Sequence, residues 1–230
     1  MHNLIIAFTL LLAYLIGSIP FGLLVVKMLS GKDIRTIASG RTGGTNAMRA
    51  AGLLAGFITA VLDILKAAAT VWMAQLMVPP YEWVHALAPV MTVLGHNHSI
   101  FLIARGPDGR IHMRGGAGGA AALGGALGLW PPAAVIMLPL GGLVWYLSGY
   151  ASLTTLSIGV LAIGIFTARA ALGFGPWVDI FYGMAVEILM VLALLPNLKR
   201  LAEGTERRHG LPALLEKRRL ARSQDEPHSR

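Results

Sequence analysis

The sequence predicts an all-α, polytopic integral membrane protein with about seven transmembrane helices. Three observations carry that prediction. First, only 13% of the 230 residues are charged and 55% are apolar, with a mean hydropathy of +0.66, whereas soluble domains carry about 25% charged residues. Second, the charges are segregated. Between Arg114 and Arg169 lie 54 residues without Asp, Glu, Lys or Arg, far more than the ~20 that one bilayer crossing needs. Third, with the N-terminus outside, 17 of the 19 Lys and Arg residues fall on one side. The positive-inside rule assigns that side to the cytoplasm. It also accounts for the net charge of +8 without a nucleic-acid partner.

The first span is expected over residues 3–26. It is too long for the apolar core of a cleaved signal and lacks a basic start, so it reads as a membrane helix. Pro20, within Gly17-Ser18-Ile19-Pro20-Phe21-Gly22, predicts a kink. Residues 27–50 form a basic loop. The second span covers 51–78 and stops at Pro79-Pro80; the third covers 83–104. A polar loop follows over 105–119. The uncharged stretch divides at Trp130-Pro131-Pro132 and Ser148-Gly149-Tyr150, giving short spans over 118–130, 132–148 and 152–168. The last span covers 176–195. Residues 1–208 then make one membrane domain, and 209–230 a basic cytoplasmic tail. That tail has an amphipathic pattern from Pro212 and an expected disordered end.

The loop at 39–49 carries the richest chemistry. Its glycines at 40, 43 and 44 permit tight turns and close approach to a ligand. Ser39, Thr45 and Asn46 offer short polar groups, and Arg41 and Arg49 can grip phosphate bidentately. The second loop, Arg114-Gly115-Gly116-Ala117-Gly118-Gly119, leads straight into an Ala/Leu helix, an arrangement that aims bare N–H groups at an anion. It does not match the G-x-x-x-x-G-K-[ST] pattern. A third polar cluster, Asn197, Lys199 and Arg200 with Gly204-Thr205-Glu206, follows the last span. Ser152 stands on the same face, where a simple helix cap is the ordinary alternative. Asp63 and Lys66, spaced i, i+3 within a span, read as a structural ion pair. Glu187 lies within the last span with no evident partner. His96 and His98 are two apart, a poor spacing for a helical metal site, so His96 is assigned a hydrogen-bonding role. No metal or cofactor is called for. The chain has no cysteine, and no nucleophile–base pair is evident. Any catalysis would rest on positioning and electrostatics.

Taken in order, G-S-I-P-F-G, S-G-R-T-G-G-T-N-A-M-R-A, L-D-I-L-K-A, L-G-H, R-G-G-A-G-G-A-A, Y-A-S-L and N-L-K-R-L-A-E-G-T-E resemble the bacterial membrane acyl-phosphate:glycerol-3-phosphate acyltransferase family. The resemblance extends to about residue 208. It implies a seven-helix enzyme with its site at the cytoplasmic face, acting on acyl phosphate, glycerol 3-phosphate and membrane lipid. Its products would be lysophosphatidic acid and phosphate, in the first step of phospholipid synthesis. It implies substrate contacts from Ser39, Gly40, Arg41, Thr45, Asn46, Arg49, His96, Arg114, Gly115, Gly116, Gly118, Ser152, Asn197, Lys199 and Arg200, and no catalytic side chain is assigned. Four positions depart from the family pattern. Arg41 replaces an Asn, Ala117 replaces a Lys, and Leu194-Leu195 replace a His-Arg pair. A stretch around 106–113 lengthens the second loop. Arg41, Arg110 or Arg114 is expected to supply the displaced cation. Two other classes stay open on the residues: a non-catalytic paralogue that binds acyl phosphate or phospholipid, and a small transporter built on Asp63, Lys66 and Glu187.

Overall fold

The computed structural model describes residues 1–105, 109 and 111–210. Helices dominate it: α1 (His2–Ser18), α2 (Phe21–Ser30), α3 (Gly44–Ala51), α4 (Leu53–Met77), α5 (Glu82–Asn97), α6 (Gly119–Leu129), α7 (Pro131–Ser148), α8 (Ala151–Ala171) and α9 (Val178–Ala202). By length and apolar composition, five stretches suffice to cross a membrane: His2–Ser30, Leu53–Met77, Pro131–Ser148, Ala151–Ala171 and Val178–Ala202. The stretches expected at 83–104 and 118–130 are helical but shorter, with α5 ending at Asn97 and α6 spanning 11 residues.

The first span is broken rather than kinked. Ile19 is extended between α1 and α2. Proline disfavours helical geometry in the residue before it and donates no hydrogen bond. The break takes the Ile19 carbonyl out of the helical ladder: it accepts from the Phe21 N–H at 3.1 Å and from Lys66 Nζ at 3.0 Å. Within the basic loop, Asp33 accepts from the Arg35 backbone at 2.9 Å and pairs with its guanidinium at 2.6 Å. That guanidinium holds the Asp33 carboxyl down to about 2. Residues 44–50, expected to be loop, form α3 together with Ala51, and Gly52 at φ 86° separates α3 from α4.

The second loop is also more ordered than expected. Its arms pair as an antiparallel hairpin, β1 (Ile103–Arg105) on β2 (Ile111–Met113), where β-branched Ile103 and Ile111 suit extended backbone. Arg110 and the amphipathic tail from Pro212 lie outside the described residues.

The bundle is held by close backbone contact at small residues, as membrane helices favour. α1 crosses α5 where a Cβ on Gly17 would fall 2.2 Å from the Thr92 carbonyl oxygen. A Cβ on Gly95 would fall 2.2 Å from that of Tyr14. α6 lies equally close to α4, with Gly124 against the Ile64 carbonyl. The largest buried cluster gathers Val93, Ala122, Met137, Phe166, Tyr182 and Met190 from α5 to α9. Away from the polar loops, Arg169 pairs with Asp179 at 2.7 Å and stacks on Trp130, tying the α8–α9 turn to α6.

Candidate active site

The polar loops and the ends of α4, α8 and α9 surround a cleft of about 850 Å³. Arg41, Arg49, Arg200 and Arg207 line it, with Glu206 as the only carboxylate among its lining residues. Leu53, Phe57, Ala60 and Leu194 give it an apolar wall. Four guanidiniums around one carboxylate leave an unbalanced positive charge in a partly desolvated space, which favours an anion. Burial and then the neighbouring Arg200 push the Arg41 guanidinium below its ordinary value; Glu206 opposes them. Burial and then Arg207 act likewise on Arg49. Both stay charged at neutral pH.

Arg41 joins the loops. Its Nη2 donates to the Ala193 carbonyl and, at 3.3 Å, to Asn197 Oδ1; Nη1 lies 3.5 Å from the Gly116 carbonyl. Pro196 sits inside α9 and cannot donate to the carbonyl one turn back, which loosens the helix where Arg41 enters. α9 therefore runs through Pro196 to Ala202 instead of ending near 195, and Asn197 and Arg200 are helical residues. Asn197 Nδ2 donates to Glu206 Oε1 at 2.9 Å, and Ser152 Oγ donates to Glu206 Oε2 at 2.9 Å. A continuous chain Arg41–Asn197–Glu206–Ser152 results.

The glycine loop docks on α5. Gly116 N–H donates to the His96 carbonyl at 2.8 Å, and Thr42 N–H donates to the Gly115 carbonyl at 3.2 Å. A Cβ at Gly116 would lie 1.9 Å from His96 Nε2, so only glycine lets the imidazole lie there. Gly118 caps α6 at φ 98°, a left-handed conformation costly for other residues.

Ser39, Arg41, Thr45, Asn46, Arg49, His96, Gly118, Ser152, Asn197 and Arg200 line the cleft, while Gly40, Gly115 and Gly116 are not among its lining residues. Asn46 also holds the loop together. Its Nδ2 faces the carbonyls of Ile34, Ile37 and Arg41 at 3.2, 3.0 and 2.8 Å, so its amide shapes the loop. Arg114 and Lys199 do not line the cleft. The Arg114 backbone bonds Ser99 and Leu102, and Lys199 is exposed beside Glu203. Asp63 and Lys66 pair at 2.8 Å in the interior. Sequence reasoning missed that His96 joins this pair. It also missed Arg207 and His209, and it placed Glu206 in the third polar cluster without giving it a contact. Glu206 had a visible signal: it is an acidic residue set among basic ones just past the last span. Arg49 Nη2 meets His209 Nε2 at 2.5 Å, and His209 N–H donates to the Gly149 carbonyl at 2.8 Å. Residues 203–210 thus cross from α9 to the α7–α8 turn, like a strap over one side of the cleft.

Apolar helices joined by close glycine contacts, with an arginine-lined cleft among their polar loops, define a helical membrane protein with a site suited to anions. The profile described as glycerol-3-phosphate acyltransferase matches residues 7–204, and the chain belongs to that family. It is 39% identical over 206 residues to a glycerol-3-phosphate acyltransferase of Thermus thermophilus, covering 88% of this chain and 94% of the relative. It is 38% identical over 200 residues to that of Myxococcus xanthus, covering 86% and 96%. Among solved structures it resembles PlsY (YgiH), an integral membrane glycerol 3-phosphate acyltransferase. The glycerol 3-phosphate form superposes with a TM-score of 0.76 at 28% identity, covering 91% of this chain and 98% of that one. The lysophosphatidic acid form gives 0.74 at 27%.

Proposed function

We propose that this protein transfers a fatty acyl group from acyl phosphate to the sn-1 hydroxyl of glycerol 3-phosphate, giving lysophosphatidic acid and inorganic phosphate. The observation that carries the proposal is the two-natured cleft of a family member. Arg41, Arg49, Arg200 and Arg207 face one volume that Leu53 and Phe57 make apolar on another side. Two phosphates need the cations, and an acyl chain needs the apolar wall. The chain crosses the membrane seven times with its N-terminus outside. The shorter helices α5 and α6 complete the count, and the site opens to the cytoplasm, as the Lys/Arg asymmetry requires.

The mixed anhydride is already activated, so catalysis consists of holding the hydroxyl against the acyl carbon and stabilising charge. The hydroxyl oxygen bonds to the acyl carbon as the bond to the phosphate oxygen breaks. The proton leaves with the departing phosphate; the one hydroxyl–carboxylate contact among the described lining residues, Ser152 with Glu206, is a link of the Arg41–Asn197–Glu206–Ser152 chain and is read as structural. Arg41, beside Ala117, supplies the cation that the family pattern places on a lysine.

The test is purified protein in lipid with acyl phosphate and glycerol 3-phosphate, following phosphate release and lysophosphatidate together. Stoichiometric appearance of both is expected. Ala117 motivates a second reading, a paralogue that binds without turnover. Saturable acyl phosphate binding with no product would establish that reading instead.

A further inference from the structure

The buried cluster of Asp63, Lys66 and His96 contains a constraint on proton placement. An ammonium has three N–H donors and no acceptor. Lys66 Nζ has three acceptors around it: Asp63 Oδ1 at 2.8 Å, the Ile19 carbonyl at 3.0 Å and His96 Nδ1 at 3.1 Å. The second of these exists because Pro20 breaks the first helix. Asp63 Oδ1 is farther from His96 Nδ1, at 3.4 Å. All three side chains are buried, Asp63 to 1% relative exposure and Lys66 and His96 to 5%. The far edge of the imidazole lies against Gly116, and His96 lines the cleft. Among the described residues, no hydrogen bond is made by Nε2.

We propose that Lys66 fixes the tautomer of His96: Nδ1 accepts from the ammonium, so the ring proton sits on Nε2 and is presented to a phosphoryl oxygen held at the glycine turn, residues 115–118. Lys66 is then a positioning residue and Asp63 its counter-charge. His96 is a donor to the anion rather than a base for the hydroxyl. The identity of that anion as a substrate phosphoryl group rests on the acyl-transfer reading above; the tautomer does not.

The full chain, labelled with ¹⁵N-histidine and held in lipid nanodiscs, tests this directly. The His96 signals are identified by their loss in His96→Gln. The expected spectrum has Nδ1 unprotonated and Nε2 protonated, with the Nε2–H resonance moving as inorganic phosphate is added. A proton on Nδ1, or an Nε2–H indifferent to phosphate, overturns the proposal. In Lys66→Met the ring proton is expected to move to Nδ1, facing Asp63, with loss of the phosphate response. Should that variant fail to fold, the wild-type spectrum still decides.

Turnover gives an independent arm. Gln carries an amide N–H near the position of Nε2, so His96→Gln is expected to stay within about tenfold of wild-type kcat/KM. His96→Ala is expected to fall by about a hundredfold, the upper range for losing a hydrogen bond to a charged group. Equal loss in both, with the acidic limb of the pH–rate profile abolished, identifies a base and overturns the donor role. If the tautomer and the phosphate response are as expected but acyl phosphate and glycerol 3-phosphate give no product, the donor stands and the proposed function fails.

Discussion

At Arg41 one guanidinium reaches Ala193 and Asn197 of α9 and approaches the Gly116 carbonyl. It is therefore both a cation of the cleft and a clip between two loops. Arg41→Ala should lower kcat/KM by about ten- to hundredfold, the effect of losing ~1.5–3 kcal/mol of charge-assisted hydrogen bonding. Arg41→Lys should recover part of it, since lysine restores the charge without the fork. Steady-state kinetics with each substrate varied checks both, and full activity in Arg41→Ala would remove Arg41 as the substitute cation. Gly116→Ala makes a different kind of prediction. Its methyl would overlap the His96 ring, displacing loop or imidazole at a cost of roughly 1–3 kcal/mol. A lower melting temperature and a raised KM for the phosphate-bearing substrates are expected. Both residues stood out in the sequence for their type. Their partners did not, because a contact between residues 41 and 193 is set by how the helices pack.

At the scale of elements, the strap at 203–210 is the least anticipated feature. A basic exit from a last span ordinarily reads as a topology signal. Here Glu206 accepts from Ser152 and Asn197, and His209 meets Arg49. Burial, with Arg49 and Arg207 adding to it and Glu206 opposing, depresses the His209 imidazole below its ordinary 6.5. The closed strap therefore holds His209 neutral, and the open strap binds its proton more readily. The contact is complete above about pH 6.5 and is lost as pH falls through the depressed value. Protection of the amides of residues 203–210, measured relative to their intrinsic exchange rates, should fall as the pH drops below about 6.5, and His209→Ala should leave protection low without that pH-dependent step. Other elements were legible to different degrees. The long apolar runs announced α4, α7 and α8 to within a few residues. The limits of α5 and α9 were not legible. Pro196 reads as a terminator, yet α9 continues through it, and Ile103 and Ala104 read as the end of a span, yet they pair with Met113 and His112. At Pro196 tertiary partners outweigh local preference, whereas at Ile103 the β-branched side chain already suits the extended backbone it adopts.

For the molecule as a whole, packing rests on backbone contact at glycine rather than on large side chains. Gly95→Leu should therefore be severe, roughly 3 kcal/mol or more, because its side chain would meet Tyr14 and Ser18 backbone with no flexible neighbour to yield. Gly142, with nothing within 4 Å, is the control: Gly142→Ala should leave stability unchanged or raise it by about 0.5–1 kcal/mol through better helix propensity. Thermal unfolding in detergent compares the two. The membrane class and the three polar loops followed from composition and charge spacing alone. The joining of His96 to the Asp63–Lys66 pair did not, because it depends on how α5 packs against α4, which brings together residues 30 apart in sequence.

The strap also has a consequence in time. Chains emerge N-terminus first, and residues 205–210 follow α9, the last of the helices named above. A nascent chain stopped at residue 204 would already contain every helix described above and most of the arginine-lined wall. It would lack Glu206, Arg207 and His209. The cleft therefore acquires its last side only after the final helix has been synthesised, so biogenesis itself orders the events: insertion first, a finished site afterwards.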